Sequence, residues 1–215
     1  MIALMIILAL CTVARGAEVV SCRREGLMWV RHDGTQVRSN LFNPARVVGS
    51  LGPQLLKAVK GFLILFPARK NKQSTPTWIP VISPMAIQML AFHLDWLDRT
   101  RGVSHGCLFP ARVLARRARR RVYNPAKNPE SAMSVNSLRL LMRQALVDCC
   151  QLTQAQSAQY GTHSFRVGAV EFLRRKGVPA EARQQLGGWM SADTALGYLQ
   201  LPVSAQFNVL RKIFD

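Results

Sequence analysis

His163 and Arg166 lie three apart in the run Thr162-His163-Ser164-Phe165-Arg166, so a helix would point both side chains the same way. Leu186-Gly187-Gly188-Trp189 follows, and its Gly-Gly break would let Trp189 turn back toward them. Tyr198 comes nine residues later. Far upstream, Arg15 sits where an apolar helix should end, with Glu18 one turn later. Lys70 and Lys72 fall in a polar turn between two strand-like runs. Guanidiniums, an imidazole, an indole N–H, a phenol and an ammonium are the groups that hold an oxyanion and move protons around it. Singly, each has an ordinary structural use: a satisfied helical histidine, a core tryptophan, a cation at a helix C-terminus. In this order they form a more specific pattern.

The charge balance points the same way. Lysine and arginine total 29 against 11 acids, a net charge of +18. This argues against an acidic small-molecule enzyme and favours a polyanionic partner, nucleic acid or an anionic membrane surface. Between Asp98 and Glu130 there is no acid. Arg112, Arg116 and Arg120, spaced by four, would form a stripe on a helix, with Arg117 beside them. As a group they are expected to meet phosphates. The five cysteines, odd in number and without a C-x-x-C pair, give neither a disulfide framework nor a metal set. His105 and Cys107 make only a lone H-x-C, so five reduced thiols of an intracellular protein are expected.

Certain elements must position these residues. With 49% apolar residues, 215 residues suffice for a proper core. The apolar opening run, residues 1–13, lacks the basic start of a secretory signal and is short for a membrane span. It reads as a buried core helix ending near 12–15, with a second helical segment over 17–24. Residues 27–30, the His32-Asp33-Gly34 turn and residues 36–41 read as a hairpin. Residues 61–67 and 77–83 read as paired strands joined by the polar turn 69–75, and Pro80 argues that the second lies at an edge or ends early. Helices are expected over 85–97, over 135–152 with Ser134 as cap, and over 164–176 up to Gly177. Pro179 opens a short one ended by Gly187-Gly188, and two more short pieces follow at 193–199 and 204–214. The expected fold is mixed α/β, mainly α, with one small antiparallel sheet near the N-terminal third.

The ordered set of boxes resembles the catalytic domain of the tyrosine recombinases, the phage-integrase family. The matching stretches are ARGAE (Arg15, Glu18), ARKNKQ, HSFR (His163, Arg166), GGW (Trp189) and GYL (Tyr198). The resemblance implies a helical catalytic domain with a small antiparallel sheet, occupying 1–215 as a single domain without the family's N-terminal core-binding domain. It implies DNA strand cleavage and rejoining through a 3′-phosphotyrosine, with Tyr198 as nucleophile. Arg15 and Arg166 would clamp the non-bridging oxygens. Lys70, with Lys72 as the alternative, would protonate the leaving 5′-oxygen. His163 would shuttle the phenol proton or hydrogen-bond the phosphate, Trp189 would donate its indole N–H, and Glu18 would orient Arg15 or His163. No metal and no cofactor is implied. The partners implied are double-stranded DNA and a homo-oligomer, a tetramer when active, inside the cell with the DNA and without a membrane. Two other readings use the same residues: a type IB topoisomerase, whose pattern commonly has K-x-x-R where this chain has H-x-x-R, and a non-catalytic DNA-binding remnant of a mobile element.

Overall fold

The computed structural model describes residues 1–44, 53–66, 76–101, 105–111, 113–114, 121–122 and 130–187. Its first element is α1 (Ile2–Thr12), with Leu4, Met5 and Leu8 sunk in the core. An eleven-residue helix this apolar has no polar face to give to water, so it is buried on several sides, as the sequence suggested. It stops at Val13, whose φ of 51° is left-handed. Ala14 N–H then donates to Ala9 O, closing a Schellman-type end in which a β-branched residue occupies glycine's usual place. The second helical segment is shorter than expected. It forms α2 (Gly16–Val20) and then, after a break, a 3-10 turn at Arg24–Gly26.

The sheet follows the hairpin expectations. Strands β1 (Leu27–Val30) and β2 (Gln36–Arg38) pair antiparallel across a turn in which Gly34 has φ 87°. After α3 (Pro53–Ala58), β3 (Gly61–Phe66) pairs with β1 on one side and with β4 (Thr77–Val81) on the other. The order is β2-β1-β3-β4, which leaves Pro80 on an edge strand. Trp29, Phe62 and Ile64 enter the main core, while Val30 and Leu63 join a smaller cluster with Met28, Trp78 and Ile82. With both faces covered, β3 reads GFLILF without polar alternation.

Helix α4 (Pro84–Arg101) buries Ile87, Leu90, Leu94 and Leu97, the periodic positions of the sequence pattern. Its His93 is buried, stacked on Phe109, with Nε2 2.8 Å from Leu108 O. Residues 105–111 thereby stay against α4, and main-chain bonds from Leu108 to Cys22 and from Arg24 to Gly106 tie them to the first third of the chain.

The expected arginine stripe falls in the arginine-rich stretch 112–121. Two short antiparallel strands, β5 (Val113–Leu114) and β6 (Arg121–Val122), occupy its ends. Val113 pairs with Val122 and Leu114 with Arg121, and β-branched valines favour strand. Arg112, Arg116, Arg117 and Arg120 lie outside the described residues.

The rest is helical: α5 (Val135–Cys150), α6 (Gln154–Ala158), α7 (Thr162–Arg175) and α8 (Ala180–Gly187). Ser134 caps α5, its hydroxyl accepting from Ser137 N–H at 3.0 Å. Helix α6 was not anticipated, although Thr153 and Gln156 make the capping box that announces it. Helix α7 turns out through Lys176 to Gly177 at φ 71°. The architecture is mixed α/β and mainly helical around a small antiparallel sheet. Among the described residues no helix is long and apolar enough to cross a membrane, and no His, Cys, Asp and Glu cluster suits a metal.

Candidate functional site

Three of the sequence-selected residues converge between α2 and α7. Arg15 is the residue before α2, in extended conformation, and Glu18 lies three positions on. The Glu18 carboxylate reaches back to accept the Arg15 backbone N–H at 2.8 Å and Arg15 Nη1 at 3.1 Å. The first bond is half of a capping box, which satisfies one of the donors a helix start leaves open. The side chain of Glu18 is 6% exposed and that of Arg15 is 24% exposed. On the other side, Arg166 Nη1 stands 4.0 Å from Glu18 Oε2. One buried carboxylate thus lies between two guanidiniums drawn from opposite ends of the described chain.

Arg166 is held at depth. It is 1% exposed, and its Nη2 donates to Gly187 O, the last carbonyl of α8. A helix C-terminus carries partial negative charge and carbonyls without helical partners, so a guanidinium is suited to it. Packing fixes the same helix. Ala169 and Leu173 of α7 close on Val13, Val178 and Leu186. Phe165 packs against the main core instead.

His163 occupies the first turn of α7, one turn before Arg166, and is exposed. The two residues sit on neighbouring faces at different depths, the imidazole at the rim and the guanidinium beneath. The entry to α7 is itself pinned. Gly161 N–H donates to Ser164 Oγ at 3.1 Å, and Arg143 of α5 gives Nε to Tyr160 O at 2.9 Å and Nη2 to Ala158 O at 2.5 Å.

Arg15, Glu18, His163 and Arg166 are therefore brought to one region. Lys70, Lys72, Trp189 and Tyr198 lie outside the described residues. At the surface Arg15 and His163 can meet an anion, while the buried Glu18 carboxylate holds Arg15 and stands beside the buried Arg166. Sequence reasoning missed Gly16 and Thr162, where the two boxes touch. The only available signal was a glycine at the first position of a helix, where it lowers helix propensity. No protein-family model and no curated protein matches this chain.

Proposed function

We propose that this chain breaks and rejoins DNA strands as a tyrosine recombinase catalytic domain does. The observation that carries the reading is the Arg15–Glu18–Arg166 cluster with His163 one turn before Arg166. Residues chosen for a phosphate-clamping role from distant parts of the sequence share one carboxylate.

In the proposed reaction the Tyr198 oxygen attacks the scissile phosphorus as the bond to the 5′-oxygen breaks. The phenol proton passes to His163 or water, and Lys70 or Lys72 supplies a proton to the departing 5′-oxygen. Charge that grows on the non-bridging oxygens meets Arg15 and Arg166. A tyrosine phenol, with an ordinary pKa near 10, leaves readily enough for a 5′-hydroxyl to reverse the step and reseal the strand. The partners of this reading are double-stranded DNA and further copies of the chain, a tetramer on DNA, in the compartment that holds the DNA.

A second reading, a DNA-binding module that does not cleave, draws on one observation. Arg166 is 1% exposed and engaged with Gly187 O, so in this conformation a phosphate meets His163 and Arg15 first.

A nicked suicide substrate separates the two readings. Incubation followed by a denaturing gel should give a covalent protein–DNA adduct. Tyr198→Phe should abolish it while leaving binding nearly unchanged. Binding with no adduct from the unaltered chain would select the non-cleaving module. An adduct surviving in Tyr198→Phe would remove Tyr198 from its role.

A further inference from the structure

The Arg15 box and the His163–Arg166 box touch through the first residue of α2 and the first residue of α7. A Cβ built on Gly16 would stand 2.6 Å from Thr162 Cβ and 3.0 Å from both its Cγ2 and its Oγ1. Carbon atoms in contact rest about 3.5–4.0 Å apart. Any side chain at position 16 therefore pushes these two helix starts about 1 Å apart. Rotation of Thr162 cannot relieve the clash, because its Cβ is placed by the backbone and not by the rotamer.

The backbone does not ask for glycine here. Among the described residues the positive-φ glycines are Gly34, Gly106 and Gly177, and Gly16 is not among them. A glycine in a helix costs stability relative to alanine. Close approach is what remains to account for it. The residues joined directly to this contact are the functional candidates themselves: Arg15 precedes Gly16, and His163 follows Thr162.

We propose that Gly16 is a positioning residue whose missing side chain sets the register between the two guanidiniums. With Thr162 seated on it, Arg15 and Arg166 both stand beside the Glu18 carboxylate. The inference rests on the strand-cleavage reading above, and it predicts an asymmetric pattern of rescue. Gly16→Ala introduces the clash. Thr162→Gly added to it removes the opposing Cβ and restores the approach. Thr162→Ala added to it removes the hydroxyl and methyl but keeps the Cβ, so the clash stays.

The test uses the full chain, with single-turnover adduct formation on the nicked substrate at saturating DNA. Circular dichroism reports the folded fraction, and a binding titration runs in parallel. A misplacement of this size costs about a hundredfold in rate. Gly16→Ala should lose about that much at unchanged folded fraction and nearly unchanged DNA affinity. Gly16→Ala/Thr162→Gly should recover to within about tenfold of the unaltered chain, and Gly16→Ala/Thr162→Ala should not. Three results would overturn the proposal: Gly16→Ala cleaving at the unaltered rate, Thr162→Ala rescuing as well as Thr162→Gly, or a rate loss equal to the loss of folded protein. If the unaltered chain forms no adduct, the strand-cleavage reading fails and the register is read from melting instead. Gly16→Ala must then lower the midpoint and Thr162→Gly alone restore it; a midpoint unmoved by Gly16→Ala overturns the register as well.

Discussion

Glu18 balances the two arginines around it, and its removal exposes what that balance is worth. Without the carboxylate, the Arg15 N–H loses its acceptor and two cations face each other in a largely buried setting. Breaking a buried ion pair from one side costs about 3 kcal/mol or more. Glu18→Ala should therefore lower the urea midpoint by an amount corresponding to about 3 kcal/mol. A midpoint within experimental scatter of the unaltered chain would mean that the carboxylate does not hold the cluster. Glu171, on the exposed side of α7, is governed by solvent instead. Hydrogen bonds from Arg174 first, and then from Arg175, hold its carboxyl down to about 2, below the ordinary 4.5. A carboxylate lowered in the folded state adds stability above its unfolded value, and loses it as the pH falls through the folded one. Its contribution to α7 is thus complete above pH 4.5 and gone near pH 2. The NMR titration of its side-chain carboxyl should have its midpoint near 2 at low salt and move upward in about 1 M salt, where exposed pairs are screened. A low-salt midpoint at 4.5 would contradict the geometry of the Arg174 and Arg175 contacts.

At the scale of elements, the end of α1 sets two effects against each other. Val13 takes a left-handed conformation that costs a non-glycine residue about 1–2 kcal/mol. It is also 0% exposed and packed with Ala169, Leu173 and Leu186. Removing a buried side chain of this size costs about 2–4 kcal/mol. Burial wins, so Val13→Gly should destabilise by about 1–2 kcal/mol despite the relaxed backbone. A more stable Val13→Gly variant would show that the strain outweighs the packing. This residue also marks the limit of what the sequence disclosed. The turn at His32-Asp33-Gly34, the edge Pro80, the Ser134 cap and the Gly177 stop were legible because each acts through its own backbone or its nearest neighbours. Val13 was not, since only α7 and α8, folded back from far along the chain, make its conformation tolerable. The site divides in the same way. The capping geometry of Arg15 and Glu18 is local and readable, whereas the approach of Arg166 to Glu18 and of Thr162 to Gly16 exists only after α7 docks.

For the molecule as a whole, a net charge of +18 makes ionic strength the controlling variable. If about six phosphates are neutralised, affinity for DNA should fall by on the order of a thousandfold between 50 and 200 mM salt. Random and candidate-site duplexes should lose affinity in parallel if the contacts are to phosphate. The check is a salt titration against both. Tight, site-selective binding that ignores salt would show that base contacts dominate. The packing of α1 against α7 also matters while the protein is being made. Among these elements α1 leaves the ribosome first, an almost wholly apolar segment, and the pocket around Val13 stays open until Ala169 and Leu173 emerge. At about 5–20 residues per second, that wait is on the order of ten to thirty seconds. During that interval the nascent chain presents chaperones with a sticky apolar segment, and competition between capture and aggregation decides the yield of folded protein.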